Sequence, residues 1–191
     1  DNFLQQFNTV LSEDWQDIVP GRAAMLRLNG PRGGLDIVVV YMDTGDARLE
    51  RARIRDAIRA RLRPPENALT IMLGDWNFVR EDKERVNLER ATWSGGTDAA
   101  EHEELELHLL KPFHFHEVFQ CDMTHSSSRG ASRLDRAYVN VHVADQLTRT
   151  WACVPLDWCK DLSAHRPVEV SRRSNVRPAM KARSIPTGPC K

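Results

Sequence analysis

Three short polar clusters, each set against an apolar run, constrain this chain more than any other feature of it. Gly74-Asp75-Trp76-Asn77 closes the run Ala68 to Leu73, and Ser132-Arg133-Leu134-Asp135-Arg136 leads into Leu134 to Val141. Ser163-Ala164-His165-Arg166-Pro167-Val168 precedes a last apolar stretch, 167 to 170. Runs of four to eight apolar and β-branched residues bounded by turn residues are strand signals. Each cluster therefore sits at or beside a strand end, where a carboxylate, an amide and an imidazole are presented rather than buried.

The rest of the chain supplies the frame. Ala23 to Leu28, the Gly-Pro-Arg-Gly-Gly turn at 30 to 34 and Leu35 to Tyr41 predict a β-hairpin. Residues 46 to 62 place Leu49, Ile54, Ala57, Ile58 and Leu62 near one helical stripe, and Pro64-Pro65 ends them. The Arg-rich opposite face of that helix reads as solvated. Residues 80 to 97 read as a long surface loop, and an acidic helix is expected from about Asp98 to Leu110. Phe113 to Phe119 reads as a short strand or helix end, and Ser126 to Ser132 as a flexible Ser-rich connection; strands follow at 134 to 141, 150 to 156 and 167 to 170. No internal repeat is visible.

Several side chains in this frame could carry chemistry. Asp75 and Asn77 are two apart, so on an extended chain they leave on one face. There a carboxylate can orient and deprotonate a water, and an amide can hydrogen-bond a phosphate oxygen; equally, Asp and Asn are common strand-to-turn caps. Asp135 lies between Arg133 and Arg136, where it could serve a catalytic pair or a surface salt bridge. An Asp bonded to one imidazole nitrogen fixes the tautomer and aims the other nitrogen at substrate, so Asp135 and His165 are a candidate pair. Arg129, Arg133 and Arg166 are candidate phosphate or DNA contacts, since guanidinium binds phosphate oxygens bidentately. His114 and His116 would share a face on an extended chain, but no third ligand follows at a telling spacing.

Taken together, the clusters resemble the second half of the endonuclease/exonuclease/phosphatase family, whose motifs read GD-x-N, S-R-[IL]-D and S-D-H-x-P. Within it, the stretch Ser132-Arg-Leu-Asp-Arg-Ala-Tyr-Val139 and the Thr124-His125 pair ahead of it look most like the endonuclease domains of non-LTR retrotransposons. The resemblance covers residues 20 to 172 and implies an α/β fold, a two-layer sandwich of mostly antiparallel sheets flanked by helices, present here as its C-terminal two-thirds. Residues 173–191 then form a basic Pro- and Ser-containing linker or tail. The implied activity is Mg²⁺- or Mn²⁺-dependent phosphodiester hydrolysis, as a nicking endonuclease of a retrotransposon-type polyprotein with duplex DNA as substrate and a reverse transcriptase domain downstream. Asp75 would align the water, Asn77 contact the scissile phosphate, Asp135 and His165 form the pair, and Tyr41 touch the phosphate near the leaving oxygen. A repair-type abasic-site nuclease, a small-phosphoester phosphatase and a non-catalytic nucleic-acid-binding remnant are the alternatives.

Two departures accompany this resemblance. The family's early Asn motif and its metal-anchoring Glu belong to strands ahead of the hairpin at 23 to 41. Asn8 and Glu13 follow no apolar strand, so the principal metal ligand is expected upstream, and the chain by itself is expected to lack appreciable Mg²⁺-dependent nicking. Ala164 stands where the family has Asp, and Asp161 is the residue that could compensate.

Composition narrows the setting. Lys plus Arg and Asp plus Glu both number 27, which excludes the whole-surface attraction to nucleic acid of strongly basic proteins. From Ser171 onward the chain carries Arg172, Arg173, Arg177, Lys181, Arg183 and Lys191 and no acid, leaving the preceding body acidic by the same amount. Cys121, Cys153, Cys159 and Cys190 form no C-x-x-C pair and read as reduced thiols of an intracellular, nuclear or cytoplasmic protein. No basic or long apolar leader opens the sequence, which reads as soluble.

Overall fold

A computed structural model describes residues 15–31, 33–93, 96–141, 149–158 and 161–174. In chain order its elements are β1 (Trp15–Val19), β2 (Ala23–Gly30), β3 (Gly33–Tyr41), α1 (Arg48–Arg59), β4 (Ala68–Asp75), β5 (Arg85–Asn87), β6 (Thr92–Trp93) and α2 (Ala99–Leu105). There follow β7 (His116–Glu117), β8 (His125–Ser126), β9 (Gly130–Ser132), β10 (Asp135–Val139), β11 (Arg149–Pro155) and β12 (Val168–Ser174). Six strands make the main sheet in the order β1-β2-β3-β4-β10-β7. All neighbours in it are antiparallel except β3 and β4, which α1 joins as a parallel crossover.

Alternation along the strands gives the sheet two apolar faces. Met25, Val38, Val40, Met72 and Tyr138 point one way, into a core with Ile54 and Ile58 of α1 and with Leu105, Leu109 and Leu110 of the acidic helix. Leu69, Ile71, Leu73, Ala137 and Val139 point the other way and meet Trp151, Cys153, Val168 and Val170 of the antiparallel β11–β12 ribbon. The order helix, sheet, ribbon is the expected α/β layering. Each fully buried Leu or Ile adds roughly 1.5–3 kcal/mol.

Three local expectations change. Leu49 is 86% exposed, so the buried stripe of α1 is Ile54 and Ile58, with Leu62 packed beside it. The Arg face is not wholly solvated: Arg55 is buried and paired with Glu101, and Arg51 reaches the same carboxylate at 3.0 Å. The acidic helix supplies the counter-charges that let these arginines leave water.

The segments 80–97 and 126–132, expected as loops, instead build a second small sheet, β6-β5-β9-β8. Its strands are two or three residues long, too short for a periodicity signal. Gly130 permits the pairing, because a Cβ there would meet the Val86 carbonyl oxygen at 2.5 Å. β1 also went unannounced by the sequence. Asn8 and Glu13, the thiols Cys159 and Cys190, and the tail beyond Ser174 lie outside the described residues; Cys121 and Cys153 are free thiols. Among the described residues no helix is long and apolar enough to cross a membrane.

Candidate active site

Register alone lines up three of the singled-out residues. Tyr41 pairs with Asp75 across the parallel β3–β4 ladder, and Asp75 pairs with Asp135 across β4–β10. Neighbouring strands lie roughly 4.8 Å apart, so these side chains form a row at one end of the sheet. Asp75 lies two residues beyond Leu73 and Asp135 two before Ala137, which places both on the ribbon face.

The loop between β11 and β12 brings His165 down onto that row. Its Nδ1 lies 3.0 Å from Asp135 Oδ2 and its Nε2 lies 3.6 Å from Asp75 Oδ2. The expected Asp135–His165 pairing is therefore present, and the carboxylate on Nδ1 sets the tautomer that turns Nε2 toward Asp75. His125 packs its ring against His165 with centroids 4.8 Å apart, and the two residues form an antiparallel bridge. Burial, and then the neighbouring His165 charge, push the His125 imidazole below its usual range.

Asp75 is 8% exposed. Burial lifts its carboxyl above the ordinary value, and the Asp135 charge adds to this, against the opposing pull of the Asn77 amide and His165. A more basic carboxylate in a half-open site is suited to accepting a proton from water.

Asn77 reaches Asp75 by a different route from the one expected. β4 ends at Asp75, and Asn77 adopts a left-handed backbone conformation with φ 49°, so the two side chains meet through a turn rather than along a strand. Asn77 donates its backbone N–H to Asp75 Oδ1 at 2.9 Å and its Nδ2 to Asp75 Oδ2 at 3.0 Å and to the Met42 carbonyl at 2.7 Å. The amide thus orients the carboxylate, and contact with a phosphate requires one of those bonds to be released.

Of the three arginines, Arg133 corrects its expectation. It is 1% exposed and donates to Glu84 at 3.0 Å and to Glu117 at 2.6 Å, while its guanidinium lies 4.7 Å from the Phe119 ring centroid. A cation so enclosed holds the fold and offers nothing to a phosphate. Arg136, also buried, shares both carboxylates, at 2.7 Å to Glu84 and 3.0 Å to Glu117. Arg166 is half-buried and braces the end of β11 through the Leu156 and Pro155 carbonyls, with Asp122 at 3.5 Å. Arg129 is exposed at the turn between β8 and β9 and makes no ion pair among the described residues.

One residue near the row, Arg22, escaped the sequence reading. Arg22 lies opposite Tyr41 at the end of β2, its guanidinium 5.0 Å from the Tyr41 ring centroid, and pairs with Asp43. The hairpin pattern held that signal, since pairing Ala23 with Val40 places Arg22 beside Tyr41. Thr124, which the sequence singled out together with His125, is completely buried behind the pair.

Asp75, Asp135 and His165 each offer a ligand atom, all within 4.8 Å of one another, and among the described residues they are the one His/Cys/Asp/Glu group so placed. The donor set fits a hard divalent cation: two carboxylates share the space, and burial, with the neighbouring Asp135 charge added, raises the Asp75 proton affinity, a cost that a cation would offset. His114 and His116 are exposed and take no part, and Asp161 is exposed and outside the group.

The chain is similar in structure to the endonuclease domain of TRAS1, a telomere-specific non-LTR retrotransposon, with TM-score 0.53 and 17% identity over 85% of this chain and 69% of that one. It is similar to an endonuclease/exonuclease/phosphatase family protein from Leptotrichia buccalis C-1013-b, with TM-score 0.50 and 14% identity over 79% of this chain and 53% of that one. A humanized D. rerio TDP2 carrying 14 mutations also scores 0.50, at 13% identity over 84% and 65%. The chain has the endonuclease/exonuclease/phosphatase fold. Comparison of the sequence with protein-family models and with curated proteins finds no match. At these identities the likeness is one of fold, and the chain spans between 53% and 69% of those proteins. Within the endonuclease/exonuclease/phosphatase fold, the Tyr41, Asp75, Asp135 and His165 cluster sits where β3 and β4 end and β10 begins.

Proposed function

We propose that this chain is a metal-dependent phosphodiester hydrolase that nicks DNA. The observation that carries the reading is the closed arrangement of Asp75, Asp135 and His165, with the imidazole 3.0 Å from one carboxylate and 3.6 Å from the other. Asp75, made more basic by burial, accepts a proton from the attacking water. Asn77 holds that carboxylate in place from a fixed turn. His165 presents Nε2 to the phosphate, while Asp135 stabilises the ring as charge develops. Tyr41, 48% exposed at the end of the row, is placed to contact a phosphate oxygen. A divalent cation bound beside these residues, to which Asp75 and Asp135 offer carboxylate oxygens, would supply Lewis-acid stabilisation of the added negative charge, with His165 Nε2 left to the phosphate.

The substrate proposed is duplex DNA, and the setting a retrotransposon-type polyprotein with a reverse transcriptase downstream. The Ser-Arg-Leu-Asp-Arg-Ala-Tyr-Val stretch and the structural likeness to the TRAS1 endonuclease domain support this reading. The three donors within one cluster support slow turnover by this chain even though a further metal ligand is expected upstream.

Supercoiled plasmid incubated with the chain and Mg²⁺ or Mn²⁺ is the test. Open circles that disappear with EDTA and in His165→Ala support the proposal, and faster cleavage of plain than of abasic duplex or inositol phosphates supports the assigned substrate. Intact plasmid at millimolar Mn²⁺, together with retained DNA binding, would overturn hydrolysis and leave a nucleic-acid-binding remnant, for which Ala164 in place of the family's Asp speaks.

A further inference from the structure

One residue outside the catalytic cluster touches the backbone of both motifs that form the Asp–His pair. Thr124, completely buried, has its N–H donating to the Ser132 carbonyl at 3.0 Å. Its Oγ1 accepts from the Leu134 N–H at 3.1 Å and from the Asp135 N–H at 3.0 Å. Its carbonyl accepts from the Arg166 N–H at 2.6 Å, and two residues on, the Ser126 N–H donates to the Ala164 carbonyl at 3.0 Å. The chain entering β10 and the loop between β11 and β12 are thus both hung on the three-residue stretch Thr124-His125-Ser126. Asp135 and His165 are 30 residues apart, one at the start of β10 and the other in the loop between β11 and β12, so nothing local fixes their separation.

From this geometry we infer that Thr124 is a positioning residue that sets the distance between Asp135 and His165, an inference that rests on the proposed hydrolytic role of the pair. The hydroxyl oxygen carries the effect. Where β10 begins, the Leu134 and Asp135 amides face a buried side chain instead of a neighbouring strand, and Thr124 Oγ1 satisfies both. Without that oxygen two buried N–H groups lose their acceptor, and the Asp135 backbone must move to find another. A shift of a few tenths of an ångström there passes directly into the 3.0 Å contact with His165 Nδ1. The His125 ring, packed at a tilt against His165, limits movement of the partner, so the two members cannot drift together.

Thr124→Val keeps the shape and removes the oxygen, while Thr124→Ser keeps the oxygen and removes a methyl group. The first readout is the Nδ1-bound proton of His165 in the metal-free chain by NMR, assigned with His165→Ala and moved by Asp135→Asn. Thr124→Val should shift or lose that downfield resonance and Thr124→Ser should retain it, with the remaining amide spectrum of both variants showing a folded chain. The second is nicking at saturating DNA, which should fall roughly 10- to 100-fold in Thr124→Val with little change in KM and recover to within about threefold in Thr124→Ser, the usual effect of losing an orienting partner. If Thr124→Val is unfolded, Thr124→Ser and Thr124→Cys decide the matter: equal spectra and equal rates for these two would overturn the inference, because only one keeps a comparable acceptor. A folded Thr124→Val with an unmoved resonance would overturn it as well. The NMR signature requires no turnover, so a shifted resonance in a chain that never nicks would sink the hydrolase reading and leave the positioning intact.

Discussion

At the scale of the residue, Asp75 and His165 show how position converts ordinary side chains into a site. Asp75 is buried, and that burial, with the Asp135 charge across from it, makes it a better base than it would be on a surface, against the opposing pull of Asn77 and of His165 at 3.6 Å. Asp75→Asn, Asp135→Asn and His165→Ala are each expected to reduce metal-dependent nicking by roughly 10²- to 10⁴-fold, with DNA binding little changed. Gel-shift affinities and nicking rates measured side by side check this; a rate within a few-fold of the parent in Asp135→Asn would end the claim for the pair. Ala164 invites a change in the other direction. It is exposed and next to His165, and a carboxylate there can join the cation-binding group, so Ala164→Asp is expected to nick faster, most visibly at low Mn²⁺. A slower Ala164→Asp at every metal concentration would mean that added charge near the phosphate costs more than the ligand gains.

Among the elements, β4 carries the site and its glycine is the tightest point in the sheet. Gly74 has φ +144°, and a Cβ would lie 1.9 Å from the Val40 carbonyl oxygen on β3. Gly74→Ala therefore combines backbone strain with a clash against a strand that cannot move away, and should cost roughly 3 kcal/mol or more by urea unfolding. A loss under 1 kcal/mol would show that β3 and β4 can separate without disturbing the row. The turn at 82–84 has a comparable role on the helix side. Glu84, its last residue, holds Arg133 and Arg136 on either side of Asp135 and ties β10 to the segment that begins β5. Removing one partner of a buried ion cluster leaves the others uncompensated, so Glu84→Gln should lower stability by roughly 3 kcal/mol at neutral pH.

For the molecule as a whole, the same cluster predicts how the fold responds to acid. Burial raises the Glu84 carboxyl, but hydrogen bonds and charge from Arg136 and Arg133 outweigh it and hold the group down at about 2. An unfolded Glu titrates near 4.5, so the stabilisation is fully present above that pH and is lost as pH falls toward 2. Unfolding free energy measured at pH 7, 4.5 and 3 should drop between the last two in the parent and drop less in Glu84→Gln; parallel slopes would show that other carboxylates govern acid unfolding. Layering also bears on where the loops of the candidate site sit. The β11–β12 ribbon covers the sheet face that carries Asp75 and Asp135, so the apolar contacts of Cys153, Val168 and Val170 with Leu73 and Ala137 are what hold the His165 loop over the row.

Much of this was present in the amino-acid order, and the parts that were not share a cause. Asp75, Asp135 and His165 were legible because each adjoins an apolar run long enough to announce a strand, and strand ends are where polar side chains are displayed. The runs at 23 to 28, 35 to 41 and 68 to 73 likewise specified three neighbouring strands, because a buried strand needs a continuous apolar signal. Leu49 and Arg55 on α1 could not be assigned that way. Which residues of a helix are buried depends on the element packed against it, and here α2 brings Glu101 to Arg55 and leaves Leu49 facing water. Arg133 was misread for the same reason: its two acidic partners lie 49 and 16 residues away, and only folding brings them together. The sequence by itself determined which residues could do chemistry and at which strand ends. The tertiary structure alone decided which arginine faces solvent, which threonine oxygen holds the pair, and how closely His165 approaches two carboxylates, because those distances depend on contacts between segments that no local pattern encodes.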